Sequence, residues 1–76
     1  MGFIMKGETK EQRFQRIAEK RVQRLLDSIR GLSGCSNKRM YEWNDEQLIK
    51  IWAAIDKELE KCRSSFENAR PEEFRL

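Results

Sequence analysis

The feature that most constrains this chain is a regular spacing of apolar residues in its second half. From position 48 to position 66 the apolar side chains recur three or four residues apart: Leu48, Ile51, Trp52, Ile55, Leu59, Cys62 and Phe66. This spacing matches the repeat of an α-helix, so these side chains share one face over about five turns. The polar side carries Lys50, Lys57, Lys61 and Ser64. The pattern predicts an amphipathic helix whose apolar face needs a partner.

The sequence also marks both ends of this helix. Asn44 can cap the N-terminus, while Gln47, three residues later, can reach back to the backbone of Asn44 and complete a capping box. At the other end, Pro71 disfavours helical geometry at the residue before it. We therefore predict a helix over about 45–69, followed by a loose tail at 70–76.

A second amphipathic segment lies in the first half of the chain. Between Thr9 and Arg30 there is no Gly or Pro, and the composition favours a helix. Its apolar side chains share one side of a helical wheel: Phe14, Ala18, Val22, Leu25, Leu26 and Ile29. Thr9 and Gln12 can form a capping box at its start. We expect either Gly31 or Gly34 to end this helix in the left-handed conformation.

The two predicted helices indicate an all-α fold, an antiparallel two-helix hairpin. We expect the connection, 31–43, to be structured, because Tyr41 and Trp43 can cover the open end of the hairpin. The whole chain, 1–76, is predicted to be a single small helical domain that begins with a flexible segment, 1–8. A chain this short often needs a second copy of itself, which predicts a homodimeric four-helix bundle.

The residue inventory argues against catalysis and metal binding. The chain has no His, which is the commonest general base and metal ligand at neutral pH. Its two cysteines, Cys35 and Cys62, lack the close spacing of a structural zinc site. We therefore predict no enzyme active site, no metal and no cofactor. The alternative is a reactive thiol at Cys35, in an enzyme or a redox sensor.

The sequence favours a cytoplasmic protein. No apolar run approaches the roughly 20 residues that a membrane span needs, so we expect no membrane partner. The apolar start is also too short for the core of a signal peptide, and two unpaired cysteines are usual in a reducing compartment.

Positive charge is concentrated in the first half of the chain, which has 10 Lys/Arg against 5 Asp/Glu over residues 1–43. Four basic residues form a ridge on the first helix, beside the apolar stripe: Arg13, Arg16, Lys20 and Arg24. Lys38 and Arg39 can extend it, together with Arg21 and Arg30. Such a ridge can follow the phosphates of a nucleic acid by releasing their counterions. The simpler interpretation is a solvated face whose long side chains cover the edge of the core.

The connection between the helices resembles that of a known group of proteins. The segments that carry the resemblance are Ser28-Ile29-Arg30-Gly31-Leu32, Cys35-Ser36-Asn37-Lys38-Arg39 and Tyr41-Glu42-Trp43, leading into Asn44-Asp45-Glu46-Gln47. They are similar to short uncharacterised bacterial proteins that resemble cargo of conjugative transposons and other mobile elements of Gram-positive bacteria. The resemblance covers roughly residues 12–66. It implies a genomic setting, without an activity or a binding residue.

These observations lead to two candidate functions. The favoured one is a non-enzymatic interaction or accessory protein of a mobile element, which binds an unknown protein partner or a second copy of itself. Asn37, Tyr41 and Trp43 are its candidate partner-binding residues, although Asn37 could instead bond the backbone of the turn and the aromatic residues could close the core. The alternative is an accessory nucleic-acid-binding protein that uses the basic ridge.

Overall fold

The structure is a computed structural model, and it describes residues 7–71. Two long helices account for most of this range: α1 spans Lys10–Ser33 and α2 spans Asp45–Ala69. A short 3₁₀ turn, Gly34–Ser36, follows α1. Residues 7–71 contain no strand, so the all-α class with two helices is confirmed.

The chain divides into two compact units, one with α1 and the 3₁₀ turn and the other with α2. The predicted flexible start, 1–8, and the predicted tail, 70–76, lie mostly outside the described residues.

The start of α1 is fixed by the capping box that the sequence predicts. Thr9 has an extended backbone, and its Oγ1 accepts a hydrogen bond of 3.0 Å from the backbone N–H of Gln12. In return, Gln12 Oε1 accepts a hydrogen bond of 2.9 Å from the backbone N–H of Thr9. These reciprocal bonds satisfy two amide groups that a helix start would otherwise leave without partners.

The end of α1 differs from the prediction. The helix continues past Arg30 to Ser33, because Gly31 keeps helical geometry at a cost of about 1 kcal/mol relative to Ala. Gly34 is right-handed as well, with φ −63° and ψ −23°, and its N–H donates to the carbonyls of Gly31 and Leu32. The expectation of a left-handed glycine at this end is therefore wrong. The chain leaves α1 by tightening into the 3₁₀ turn, which satisfies the last carbonyl groups.

The bounds of α2 are those given by its sequence signals. Asn44 Oδ1 accepts a hydrogen bond of 2.8 Å from the backbone N–H of Gln47, and Gln47 Oε1 accepts one of 3.0 Å from the backbone N–H of Asn44. The helix ends at Ala69, because Arg70 takes the extended conformation, φ −70° and ψ 140°, that a residue before proline favours.

Candidate interaction surfaces

The apolar face of α1 is open to solvent within its own unit. None of the helix's residues is buried, and Leu25, near the centre of the face, is 53% exposed. The face runs from Phe14 to Ile29, about 22 Å along the helix axis at 1.5 Å per residue. Most of the stabilisation of such a helix comes from packing its apolar face, so this surface needs an occupant.

The apolar face of α2 is open in the same way. No residue of α2 is buried, and Ile55 is 38% exposed while Trp52 is 50% exposed. Ile49 adds apolar surface beside Trp52 that the original spacing pattern did not include, and it is also exposed. Large exposed apolar patches usually mark sites where a protein binds another surface. Cys62, which belongs to this face, is exposed with the rest of it.

The basic ridge lies across the helix from the apolar face, which corrects its predicted position beside the stripe. At 3.6 residues per turn, the four cations fall within about 80° of one another. The centre of this ridge is roughly 160° from the centre of the apolar face. The residues concerned are Arg13, Arg16, Lys20 and Arg24. The two surfaces of α1 can therefore be occupied at the same time.

Two cations of the basic ridge already hold a carboxylate of the same unit. Arg16 donates to Glu8 through Nε, at 2.9 Å, and through Nη2, at 3.2 Å. Arg13 Nε lies 3.6 Å from the Oε1 atom of the same carboxylate. The hydrogen bonds from Arg16 and the charges of both arginines hold the pKa of Glu8 below its usual value, and the carboxylate raises the pKa of Arg16.

Sequence reasoning missed Glu8 because it lies outside the helix, eight residues before Arg16, and no helical spacing relates the two. The remaining cations of the ridge differ from this pair. Among the ion pairs of residues 7–71, none involves Lys20 or Arg24. The ridge therefore has a partly neutralised beginning, with one carboxylate for two arginines, and two cations beyond it that form none of these ion pairs.

The candidate residues of the connection form a turn organised by Asn37. Asn37 Oδ1 accepts a hydrogen bond of 3.0 Å from the backbone N–H of Arg39. The carbonyl of Asn37 accepts further bonds from the N–H groups of Met40, at 3.1 Å, and Tyr41, at 3.0 Å. These contacts favour the structural interpretation of Asn37, which the sequence left open. Lys38 and Arg39 lie on this turn, and both are exposed.

The aromatic candidates belong to different units. Tyr41 is the last residue of the α1 unit and is about half exposed. Trp43 precedes Asn44, the cap of α2, and is half-buried. Met40, beside Tyr41, is the most exposed large apolar residue of this turn and was not among the predicted residues. Together, Met40 and Tyr41 give the turn an apolar surface of its own.

The described residues contain neither a cluster of metal ligands nor a helix that could span a membrane. Across residues 7–71 there is no group of three or more His, Cys, Asp or Glu side chains that could hold a metal ion. No helix in this part of the chain is long and apolar enough to cross a membrane. Cys35 and Cys62 are both free and exposed.

Comparison of the chain with protein-family models, with curated proteins and with solved structures found no match.

Proposed function

We propose that this protein is a non-enzymatic interaction module, an accessory protein of a mobile element, that works by helical assembly. The observation that carries the proposal is the apolar face that each helix exposes within its own unit. Both helices are long, 24 and 25 residues, and both begin with a complete capping box. The mobile-element setting is supported by the resemblance in the connection, residues 28–47.

The occupant that we propose for each apolar face is the other helix of the chain, in an antiparallel hairpin. The spacing of the two faces supports this pairing. Counted outward from the connection, α1 has apolar residues at Ile29, Leu26, Leu25, Val22 and Ala18. Counted outward in the same way, α2 has them at Leu48, Ile51, Trp52, Ile55 and Leu59. The intervals are identical, so an antiparallel pair would place these residues level with one another in five consecutive pairs.

The charges at the edges of the two faces are compatible with the same register. In this antiparallel pair, Arg21 on one edge would lie two positions from level with Glu58, about 3 Å along the axis. On the other edge, Glu19 would lie five positions from level with Arg63, about 7.5 Å along the axis. The helices as a whole are also complementary, because α1 has seven Lys/Arg and three Asp/Glu whereas α2 has four and six. Opposite net charges favour pairing of α1 with α2 over pairing of like helices.

A second copy would then complete a homodimeric four-helix bundle. The α2 face supports this step because Ile49 and Trp52 extend it beyond the width that one neighbouring helix covers. Sedimentation equilibrium tests it directly. We expect a mass above the 9.1 kDa of one chain at high micromolar concentration, and a strictly monomeric protein would remove the dimer.

A cysteine pair tests the hairpin. In the proposed register Phe14 lies one position from level with the native Cys62, so Phe14→Cys in a Cys35→Ser background should form an intrachain disulfide on mild oxidation. Arg16→Cys in the same background is the matched control, because Arg16 is on the opposite side of α1. Non-reducing electrophoresis separates the intrachain product from a crosslinked dimer. Equal yields from the two variants would contradict the hairpin.

A second candidate function, accessory nucleic-acid binding, is supported by the position of the basic ridge. Because the ridge is opposite the apolar face, it would stay in solvent when α1 packs against α2. We expect a labelled DNA or RNA strand to bind with an affinity that falls steeply as salt increases. Replacing the four ridge cations by Ala should weaken binding far more than replacing Lys50, Lys57 and Lys61 on α2. A wild-type protein that does not bind even at low salt would end this candidate.

A further inference from the structure

The contact between Glu8 and the beginning of the basic ridge is unusual for a surface carboxylate. The Glu8 side chain is only 8% exposed, although it precedes the helix. Arg16 donates hydrogen bonds to the Glu8 carboxylate from two nitrogens of its guanidinium group, at 2.9 Å and 3.2 Å. Parallel hydrogen bonds of this kind are the way in which arginine recognises planar or tetrahedral oxyanions, carboxylates and phosphates alike.

The carboxylate leaves part of this site unsatisfied. Arg13 Nε is shielded from solvent and has no hydrogen-bond partner among the described residues, although Glu8 Oε1 is 3.6 Å away. Each carboxylate oxygen of Glu8 accepts one hydrogen bond from Arg16, and neither accepts one from Arg13 Nε. A phosphodiester has two charged oxygens that can each accept more than one hydrogen bond, so one phosphate can bind Arg16 and Arg13 together. The site therefore retains a shielded donor that Glu8 leaves without a hydrogen bond.

The position of the pair favours a strand over a single small anion. Lys20 and Arg24 continue from Arg16 at intervals of four residues, so they extend the same side of α1 by about 12 Å. No ion pair among the described residues engages either of them. A polyanion anchored at the arginine pair would meet two further cations along the helix.

We propose that the guanidinium groups of Arg13 and Arg16 form a binding site for a phosphate of a nucleic-acid strand, and that Glu8 occupies this site in the unbound protein. This inference rests on the nucleic-acid-binding candidate and adds to it a defined first contact and an internal competitor. A strand must displace Glu8 before it can bind both arginines. Glu8 therefore lowers the affinity of the ridge and restricts binding to ligands of high charge density.

The test compares two variants of equal net charge, Glu8→Gln and Glu19→Gln, with the wild type. Each variant removes one negative charge from the α1 unit, but only Glu8 contacts the arginine pair. Fluorescence anisotropy of short labelled DNA and RNA strands is measured across a salt series, with helix content checked by circular dichroism. We expect Glu8→Gln to bind about two- to five-fold more tightly than Glu19→Gln, the range for release of a surface ion pair. We also expect its logarithmic salt dependence to be steeper by roughly 0.7 to 0.9, one phosphate contact.

The outcomes separate this inference from the candidate function on which it rests. If all three proteins bind with salt-sensitive affinity and Glu8→Gln matches Glu19→Gln, the Glu8 site is refuted while nucleic-acid binding stands. If none of them binds at low salt, both fail. A polyglutamate peptide that binds Glu8→Gln as tightly as the nucleic acids do would overturn the assignment of a phosphate ligand. Adding Arg16→Ala to Glu8→Gln should abolish the gain, and a gain that persists would also refute the site.

Discussion

Truncating Leu25 to Ala distinguishes an α1 helix that stands alone from one that is packed in the proposed assembly. Within its unit Leu25 is 53% exposed, so only about half of its side chain has burial to lose. Full burial of a leucine contributes about 1.5 to 3 kcal/mol, and alanine is the better helix former. For an unpacked α1 the cost of Leu25→Ala should therefore stay below about 1.5 kcal/mol.

In the proposed hairpin the cost is much larger. Leu25 would lie level with Trp52 and be enclosed between the helices, and leucine truncations in packed cores cost about 2 to 5 kcal/mol. The free energy of unfolding is measured by urea titration with circular dichroism, at one fixed protein concentration because an assembling protein's stability depends on concentration. We expect Leu25→Ala to lose at least about 2 kcal/mol.

The matched control is the neighbouring residue. Arg24→Ala changes a long side chain to Ala one position away, but Arg24 belongs to the basic ridge on the other side of α1. Surface substitutions of this kind usually change stability by less than about 0.5 kcal/mol. A Leu25→Ala protein as stable as Arg24→Ala would refute the assembly, because the centre of the α1 face would then be uncovered.

Three further measurements follow from the described contacts. Asn44→Ala removes the acceptor for the backbone N–H of Gln47 and should lower the stability of α2 by about 1 kcal/mol, as measured by thermal unfolding. An unchanged melting temperature would show that the capping box contributes nothing. The pKa of Glu8 is lowered in the folded chain, so the ionised Glu8 stabilises the fold at pH values above the ordinary glutamate pKa. This stabilisation is lost as the pH falls through the lowered pKa. Acid titration should therefore bring the wild type down to the stability of Glu8→Gln, and parallel pH profiles of the two proteins would contradict this. Thiol titration should find Cys35 reactive and Cys62 protected if the hairpin forms, whereas equal rates would match the exposure of each unit alone.

The sequence predicted the parts of the structure that depend on neighbouring residues. Both capping boxes are encoded within four consecutive positions, and the bonds that form them are local. Pro71 restricts the backbone of the residue before it, so the end of α2 could also be predicted from the sequence. The end of α1 was misjudged because Gly31 and Gly34 permit a left-handed turn without requiring one, and the 3₁₀ turn offers the last carbonyls another set of donors.

The candidate site was less predictable for two physical reasons. The ridge cations could be counted from the sequence, but the carboxylate that holds Arg13 and Arg16 comes from Glu8, whose backbone precedes the helix and follows no repeat. Asn37 was named both as a candidate for partner binding and as a residue that could bond the backbone of the turn, and its Oδ1 and carbonyl oxygen accept hydrogen bonds from the backbone of the turn. In both cases residue type alone does not specify which hydrogen bond forms.

The opposite positions of the apolar face and the basic ridge connect the two candidate functions. An assembly that covers the apolar faces would leave one ridge per copy in solvent, so a dimer would present two ridges to the same strand. Linking two binding surfaces in this way can raise the overall affinity about 10²- to 10⁴-fold without a new contact. Leu25→Ala should then weaken nucleic-acid binding at concentrations where the wild type is assembled, although it alters no cation. Unchanged binding by a Leu25→Ala protein that has become monomeric would show that each ridge acts by itself.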